Sequence, residues 1–187
     1  EGVRYEEPKL KMMGIEAVKS STPAPCRTMI KDALKLMMRG TEDDVIEFIE
    51  NARKEFKSLP PEEIAFPRTA SNVQKYKSSS DIYVKGTPIH IRGALLFNYY
   101  LRKKKLTNKY SAIENGEKIK FLYLKKPNTI QENVLSFIQD FPTEFGLSQY
   151  IDYELQFEKS FVYPLKAILD AIGWEVEKKV TLESFFS

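Results

Sequence analysis

The sequence predicts an α+β fold that is mostly helical and includes a small antiparallel strand element. Several long stretches place apolar residues at the spacing of an amphipathic helix, whereas the run Lys118–Leu124 alternates apolar and polar residues as a strand does. Hydrophobic residues make up 42% of the 187 residues, enough to bury a sizeable core and to exclude a wholly disordered chain. The length suits one domain, or one domain with appendages.

The first twenty residues are expected to be extended, as a hairpin or a sheet strand. Apolar and charged residues alternate over residues 3–5 and 10–12, and Gly14 suits a turn or a bulge. Three basic side chains would project from this ribbon: Lys9, Lys11 and Lys19. The chain starts in mid-pattern without a methionine, so we expect it to be a piece of a longer protein.

Two amphipathic helices are predicted next, with a short joint at Gly40. The triplet Ser21-Thr22-Pro23 is typical of a helix start, and apolar residues follow it at helical spacing as far as Gly40. Thr41 is expected to cap the second helix. The apolar face of that helix would hold Val45, Ile49, Ala52 and Phe56. With so short a joint, the two helices should pack antiparallel.

The central part is predicted to be a basic, turn-rich segment followed by a third long helix. Leu59–Glu63 interrupts the helical pattern, and residues 67–80 are polar and basic, as in a loop or a short helix. Thr87-Pro88 precedes a helical pattern over residues 89–105. The apolar face of this helix would include Ile91, Leu95 and Tyr99.

The last third is predicted to contain the strand, a short helix and a long helix. After the strand Lys118–Leu124, Thr129 favours a short helix through Ile138, and residues 139–148 are predicted to be loop. A final helix begins near Ile151, and Pro164 should end or kink it.

Composition excludes several classes of protein. The 29 basic and 26 acidic residues leave a net charge of only +3, which does not by itself indicate nucleic-acid binding. One cysteine excludes an internal disulfide framework, and one cysteine with one histidine exclude a conventional Cys/His zinc site within the chain. The acidic group at residues 42–47 begins a helix, where it complements the helix dipole. No nucleophile with its base, phosphate-binding glycine loop, signal peptide or membrane-length apolar run is recognised.

The basic residues and the single histidine allow two interpretations each. His90 either is a structural imidazole at a helix start or joins Arg92 in binding a phosphate near the helix N-terminus. The lysines either solubilise the surface or line a groove for an anion. Several of them lie at junctions and in polar loops, without alternating glutamates, which favours a groove.

The C-terminal run Leu182-Glu183-Ser184-Phe185-Phe186 carries large apolar residues at a chain end. Exposed Phe185 and Phe186 would be unfavourable in water, so they must either fold back on the domain or enter a pocket of a partner. Leu182 with the two phenylalanines forms the kind of paired anchor that short peptide ligands offer to a groove.

Taken in order, seven stretches resemble a known family. They are EGVRYEEPKLKMMGIEAVKSSTP at the start, the helical pair through Phe56, Ile64–Tyr76, PIHIRG at Pro88–Gly93, the strand Lys118–Leu124 with the lysines that follow it, YIDYELQFEKSFVYPL at Tyr150–Leu165, and the Leu-x-x-Phe-Phe tail. Their order and spacing are similar to those of the C-terminal part of family B replicative DNA polymerases, above all those of T-even-type tailed bacteriophages. The resemblance spans essentially the whole chain.

The resemblance implies a division of the chain and a set of site residues. Residues 1–20 would be the edge of the palm, 21–176 the thumb domain, and 177–187 a peptide that binds a sliding clamp through Leu182, Phe185 and Phe186. Tyr163 falls where relatives can carry lysine, so the sequence departs from the family's pattern there. By the resemblance, contacts to the DNA backbone would come from Lys9, Lys11, Lys85, His90, Arg92 and Lys159. The basic residues Lys19, Arg68 and Lys75 are predicted with them as possible phosphate donors.

The resemblance also implies what must come from elsewhere. The catalytic aspartates, the two divalent metal ions (Mg) and the dNTP site belong to the complete polymerase, so this chain alone should hold no cofactor and be inactive. Its partners would be the primer–template duplex, the sliding clamp, and the exonuclease, palm and fingers domains, in the cytoplasm of an infected bacterium. A stand-alone adaptor that binds a protein through the tail is the alternative, and an independent nuclease has little support from the residues.

Overall fold

The computed structural model describes residues 18–177, and these form two compact units. The helical unit consists of residues 18–19, Ala24–Ser58 and residues 157–177. The sheet unit consists of Ser20–Pro23 and Leu59–Gln156. The predicted ribbon before residue 18 and the predicted peptide after residue 177 lie outside the described residues. No helix within residues 18–177 is both long and apolar enough to cross a membrane.

The helical unit begins with helices α1 (Ala24–Arg39) and α2 (Glu42–Lys57), which contact each other. The predicted cap at Thr41 is confirmed. The Asp44 backbone N–H donates to Thr41 Oγ1 at 3.3 Å, and the Thr41 N–H donates to Asp44 Oδ2 at 2.9 Å. This reciprocal capping box satisfies N–H groups that a helix start otherwise leaves without partners.

The core of the helical unit is aliphatic and aromatic. The predicted apolar face of α2 is confirmed, because all four of its residues are buried. The Phe56 ring meets the Phe157 ring edge-to-face at 5.2 Å, and the Phe157 ring lies 5.0 Å from that of Phe161. Such pairs add to the stability that burial of the rings already provides.

The final helical run contains a π-helical segment. Helix α5 (Tyr153–Phe157) is followed by π-helical turns at Glu158–Val162 and by helix α6 (Tyr163–Ala171). Pro164 has no N–H for the carbonyl four residues earlier, and its ring crowds the preceding turn. The helix continues through Pro164 with a wider turn just before the proline, so an end there is wrong and the predicted kink stays a prediction.

The sheet unit is built on three antiparallel strands in the order β1-β2-β3. The strands are β1 (Phe66–Thr69), β2 (Lys118–Tyr123) and β3 (Val134–Phe137). The strand expected from the alternating run is confirmed as β2. The short helix α3 (Pro61–Ile64) lies where the helical pattern was predicted to break, and 3-10 turns occur at Val73–Tyr76, Thr143–Phe145 and Ser148–Tyr150. Strand β1 corrects the prediction of a loop or short helix at the start of residues 67–80, because pairing with β2 makes residues 67–69 extended.

Strand β3 corrects the prediction of a short helix over residues 129–138. Thr129 caps no helix, and its hydroxyl donates to the Phe145 carbonyl at 2.9 Å. All four residues of β3 are buried, because β2 pairs with one edge of the strand and a helix packs against it. A four-residue apolar run carries no periodicity that distinguishes a buried strand from a helix, so the tertiary contacts decide.

Helix α4 (Ile89–Lys103) packs on β3 through a close approach at Gly93. A Cβ at Gly93 would lie 2.4 Å from Ser136 Oγ, so only glycine fits there. The Ser136 hydroxyl donates to the His90 carbonyl at 2.7 Å. Tyr99 was predicted on the buried face but is 37% exposed, because each four-residue step on a helix turns by about 40° and Tyr99 is two steps from Ile91.

Candidate nucleic-acid interface

Charge is distributed very unevenly along the chain. Between Ile64 and Ile113 there are ten lysines and arginines and a single acidic residue, Asp81. Residues 24–57, by contrast, contain seven basic and seven acidic residues. Arg92 and Lys109 pair with glutamates outside the basic stretch, and its other eight cations form no ion pair with a described residue. The ten are Arg68, Lys75, Lys77, Lys85, Arg92, Arg102, Lys103, Lys104, Lys105 and Lys109.

A groove of about 480 Å³ lies beside the edge strand β1. The antiparallel register pairs Thr69 with Lys118 and Pro67 with Lys120, so that both lysines lie on one face of the sheet. Arg68 and the serines at positions 20 and 21 also line the groove. The groove therefore combines cations with hydroxyl groups, which is a donor set suited to a phosphate.

Arg68 is held in place by the protein. Its Nη1 atom donates to the carbonyl oxygens of Ser21, at 2.8 Å, and Pro67, at 2.7 Å. Its guanidinium carbon lies 5.5 and 5.3 Å from the ring centres of Phe66 and Phe121. Burial lowers the pKa of Arg68, yet an arginine stays charged in proteins. Arg68 therefore contributes a fixed positive charge to the groove and fastens residues 20–23 to the sheet.

Two lysines of the groove were not predicted as site residues. Lys120 Nζ donates to the Glu62 carbonyl at 3.0 Å, which ties it to the protein. Lys118 is exposed and forms no ion pair with a described residue. The signal was present in the sequence, since residues two apart on a strand share a face and the alternating run begins Lys-Ile-Lys.

His90 and Arg92 lie in different environments. Burial lowers the pKa of His90, the charge of Arg68 adds to that effect, and a hydrogen bond with the Thr69 backbone opposes it. The lowered pKa favours a neutral His90 at neutral pH. Its predicted role in binding DNA, alone or beside Arg92, stays a prediction.

Arg92 belongs to a polar network. Its Nη1 atom donates to Glu132 Oε2 at 3.0 Å and to Asn133 Oδ1 at 2.6 Å. The Tyr83 hydroxyl donates to Glu132 Oε1 at 2.7 Å. Burial raises the pKa of Tyr83, and the hydrogen bond to Glu132 raises it further. Glu132 thus neutralises Arg92, and the network connects α4 to two loops.

Lys75, Lys77 and Lys85 lie together on residues 73–86, which we call the basic loop. An antiparallel bridge pairs Lys77 with Tyr83, and the Val84 N–H donates to the Tyr76 carbonyl at 3.0 Å. The two arms of the loop are thereby fastened side by side. All three lysines are exposed. The structure therefore brings the predicted Lys75 and Lys85 onto one surface feature.

The remaining predicted residues lie elsewhere. Lys19 and Lys159 are exposed residues of the helical unit, and Tyr163, in the same unit, is 53% exposed. The predicted DNA contacts Lys9 and Lys11 lie outside the described residues, as do the clamp-binding residues Leu182, Phe185 and Phe186.

Potential metal ligands are not clustered in the described part of the chain. Within residues 18–177, no three His, Cys, Asp or Glu side chains are placed to hold a metal ion together. The resemblance assigns the two metal ions to the complete polymerase, and that this chain holds none stays a prediction.

Comparison with known proteins confirms the resemblance to phage polymerases. The chain is 30% identical over 190 residues to the DNA-directed DNA polymerase of Enterobacteria phage T4. It is 33% identical over 191 residues to that of Escherichia phage RB69. Each match covers 100% of this chain and 21% of the relative, so the chain spans about a fifth of the length of the curated relatives it matches. No protein-family model matches the chain.

Proposed function

We propose that this chain is the part of a DNA-directed DNA polymerase that holds the primer–template duplex, as the thumb domain of a family B enzyme does. The similarity over the whole chain to two phage polymerases carries this proposal. In this account residues 1–20 belong to the edge of the palm, 21–176 form the thumb, and 177–187 bind a sliding clamp.

The distribution of charge supports contact with the DNA backbone. A polymerase must hold any sequence, and phosphate contacts position a protein on DNA without reading its sequence. Lys75, Lys77 and Lys85 on the basic loop are exposed, and long flexible lysines can follow phosphates without demanding one fixed geometry. The basic loop is therefore the surface that we assign to the duplex.

The groove at β1 is the second contact that we assign to the duplex within the sheet unit. Lys118 supplies an exposed ammonium, while Arg68 supplies a charge whose position the two carbonyls fix. A phosphate that enters the groove would replace its hydrogen bonds to water with hydrogen bonds to these cations and to the nearby hydroxyl groups. This groove does not depend on His90, whose contact with DNA stays a prediction.

Catalysis and the clamp involve other parts of the assembly. The catalytic carboxylates, the two magnesium ions and the dNTP would be held by the palm and fingers, so we expect this chain alone not to extend a primer. Leu182, Phe185 and Phe186 would bind a ring-shaped clamp, which raises the local concentration of the polymerase on DNA.

Binding of the 187-residue chain to a fluorescent primer–template duplex, measured by anisotropy across a series of salt concentrations, tests the proposal. We expect affinity to fall as salt rises, with a slope of about 0.9 for each phosphate contacted. Deleting residues 181–187 should leave this binding unchanged and remove binding to the clamp. A chain that binds no duplex at low salt, and binds a protein partner only through the tail, would be the adaptor instead.

A further inference from the structure

Helix α1 carries four cations at four-residue intervals, which we call the α1 row. The row consists of Arg27, Lys31, Lys35 and Arg39, with Asp32 the only acidic residue on the helix. Residues four apart are neighbours on a helix surface. At a rise of about 1.5 Å per residue, the row extends for roughly 18 Å along the helix.

The row is not neutralised within the described residues. Helix α2 contacts α1 and carries six acidic residues, yet no cation of the row forms an ion pair with a described residue. Lys31, Lys35 and Arg39 are exposed. The Nε atom of Arg27 is buried and has no hydrogen-bond partner among residues 18–177. Like charges at this spacing repel one another on a helix, and an anionic partner would relieve that repulsion.

The surroundings of the row favour a polyanion over a protein partner. Protein interfaces depend on buried aromatic and apolar anchors. Among the described residues the large exposed apolar side chains are Val84, Tyr99 and Tyr163, and none of them belongs to α1. A row of cations without such anchors matches the backbone of duplex DNA, which presents one charge per roughly 1.7 Å of its axis.

We propose that the α1 row binds phosphates of duplex DNA, as a contact surface additional to the basic loop. The inference rests on the proposed function only for the identity of the polyanion. Duplex of this length offers about ten phosphates along 18 Å, more than enough for four cations. In this arrangement Lys31 and Lys35 would contact phosphates of the DNA backbone in the middle of the row, and the two arginines would lie at its ends.

The test compares two double variants of the full chain with the unchanged chain. Lys31→Gln with Lys35→Gln removes two charges from the row. Lys54→Gln with Lys166→Gln removes two exposed charges from the helices of the same unit and serves as the control. Glutamine and lysine have similar helix propensities, so the variants should fold alike, which circular dichroism checks.

The probe is a 20-base-pair duplex, and the readout is the slope of log Kd against log salt concentration. If the row binds two phosphates through these lysines, the slope falls by about 1.8, which reduces the ratio of Kd at 200 mM salt to Kd at 50 mM roughly tenfold. The control should change the slope little.

Equal slopes for the row variant and the control would overturn the inference. The proposed function would still hold if the basic-loop double variant, Lys75→Gln with Lys85→Gln, binds the duplex more weakly than the unchanged chain. A reduced slope in the row variant alone supports the row and counts against the basic loop. If the unchanged chain binds no duplex, both proposals fail.

Discussion

The two units differ in how far apart in the sequence the residues lie whose contacts decide the structure. In the helical unit, neighbours along the chain decide the structure, as Thr41 and Asp44 do by capping each other's backbone. In the sheet unit, residues far apart decide it, as where Gly93 leaves room for Ser136. The two units also differ in charge, which is balanced over residues 24–57 and strongly positive over residues 64–113. Local signals therefore predict the helical unit well and the sheet unit only in part.

The largest effect on stability is expected from Gly93→Ala in α4. Helix propensity alone predicts that alanine stabilises a helix by about 1 kcal/mol. The new methyl group would instead lie 2.4 Å from Ser136 Oγ and 2.7 Å from the Ser136 nitrogen. We expect a loss of about 2–3 kcal/mol in the free energy of unfolding, measured by urea titration. A stabilised variant would show that local propensity governs the sheet unit too.

The next largest effect is expected from Glu132→Gln in the network around Arg92. The change leaves a half-buried guanidinium without its counter-charge, which should cost about 1–2 kcal/mol in urea unfolding. Asn133→Ala keeps the ion pair and serves as the control, with a smaller loss. If Glu132→Gln costs no stability and strengthens duplex binding, Arg92 acts on DNA and the structural role assigned to it is wrong.

The cap at Thr41 tests the helical unit. Thr41→Ala removes a hydroxyl that accepts from the Asp44 N–H, and we expect a loss of about 1 kcal/mol. Thr107→Ala, an exposed threonine in a loop, is the matched control and should change stability by less than about 0.5 kcal/mol. Equal effects of the two substitutions would mean that the capping box contributes nothing.

The smallest effect is a dependence of stability on pH through His90. Its pKa is lowered in the folded chain, so the unfolded chain binds more protons as pH falls through about 6.5. The stability that the neutral imidazole provides is therefore present above that pH and is lost below it. Urea unfolding at pH 7.5, 6.5 and 5.5 should show this loss, and His90→Gln should reduce it. A histidine that binds phosphate would instead strengthen duplex binding as pH falls.

The same division explains which features the sequence could predict. Gly40, Thr41 and the alternating run at β2 carry their signals within a few residues, and each was predicted correctly. Strand β3 depends on its contacts with β2 and α4, which are distant in the sequence. The exposure of Tyr99 depends on the rotation that accumulates over successive four-residue steps along the helix. Neither can be decided from its own neighbours.

The candidate site follows the same rule. Lys75 and Lys85 could be predicted as cations of a polar loop, but their common position depends on the bridge between Lys77 and Tyr83. The groove needs the register that sets Thr69 opposite Lys118. Whether a charged residue is already paired, as Arg92 is, cannot be decided without the fold.

The proposed function requires that cations of the sheet unit hold duplex DNA. The decisive experiment compares the double variant Lys75→Gln with Lys85→Gln against the control double variant Lys54→Gln with Lys166→Gln, by anisotropy on one primer–template duplex. We predict that the slope of log Kd against log salt falls by about 1.8 for the basic-loop variant and hardly changes for the control. Identical slopes for the two variants would contradict the claim.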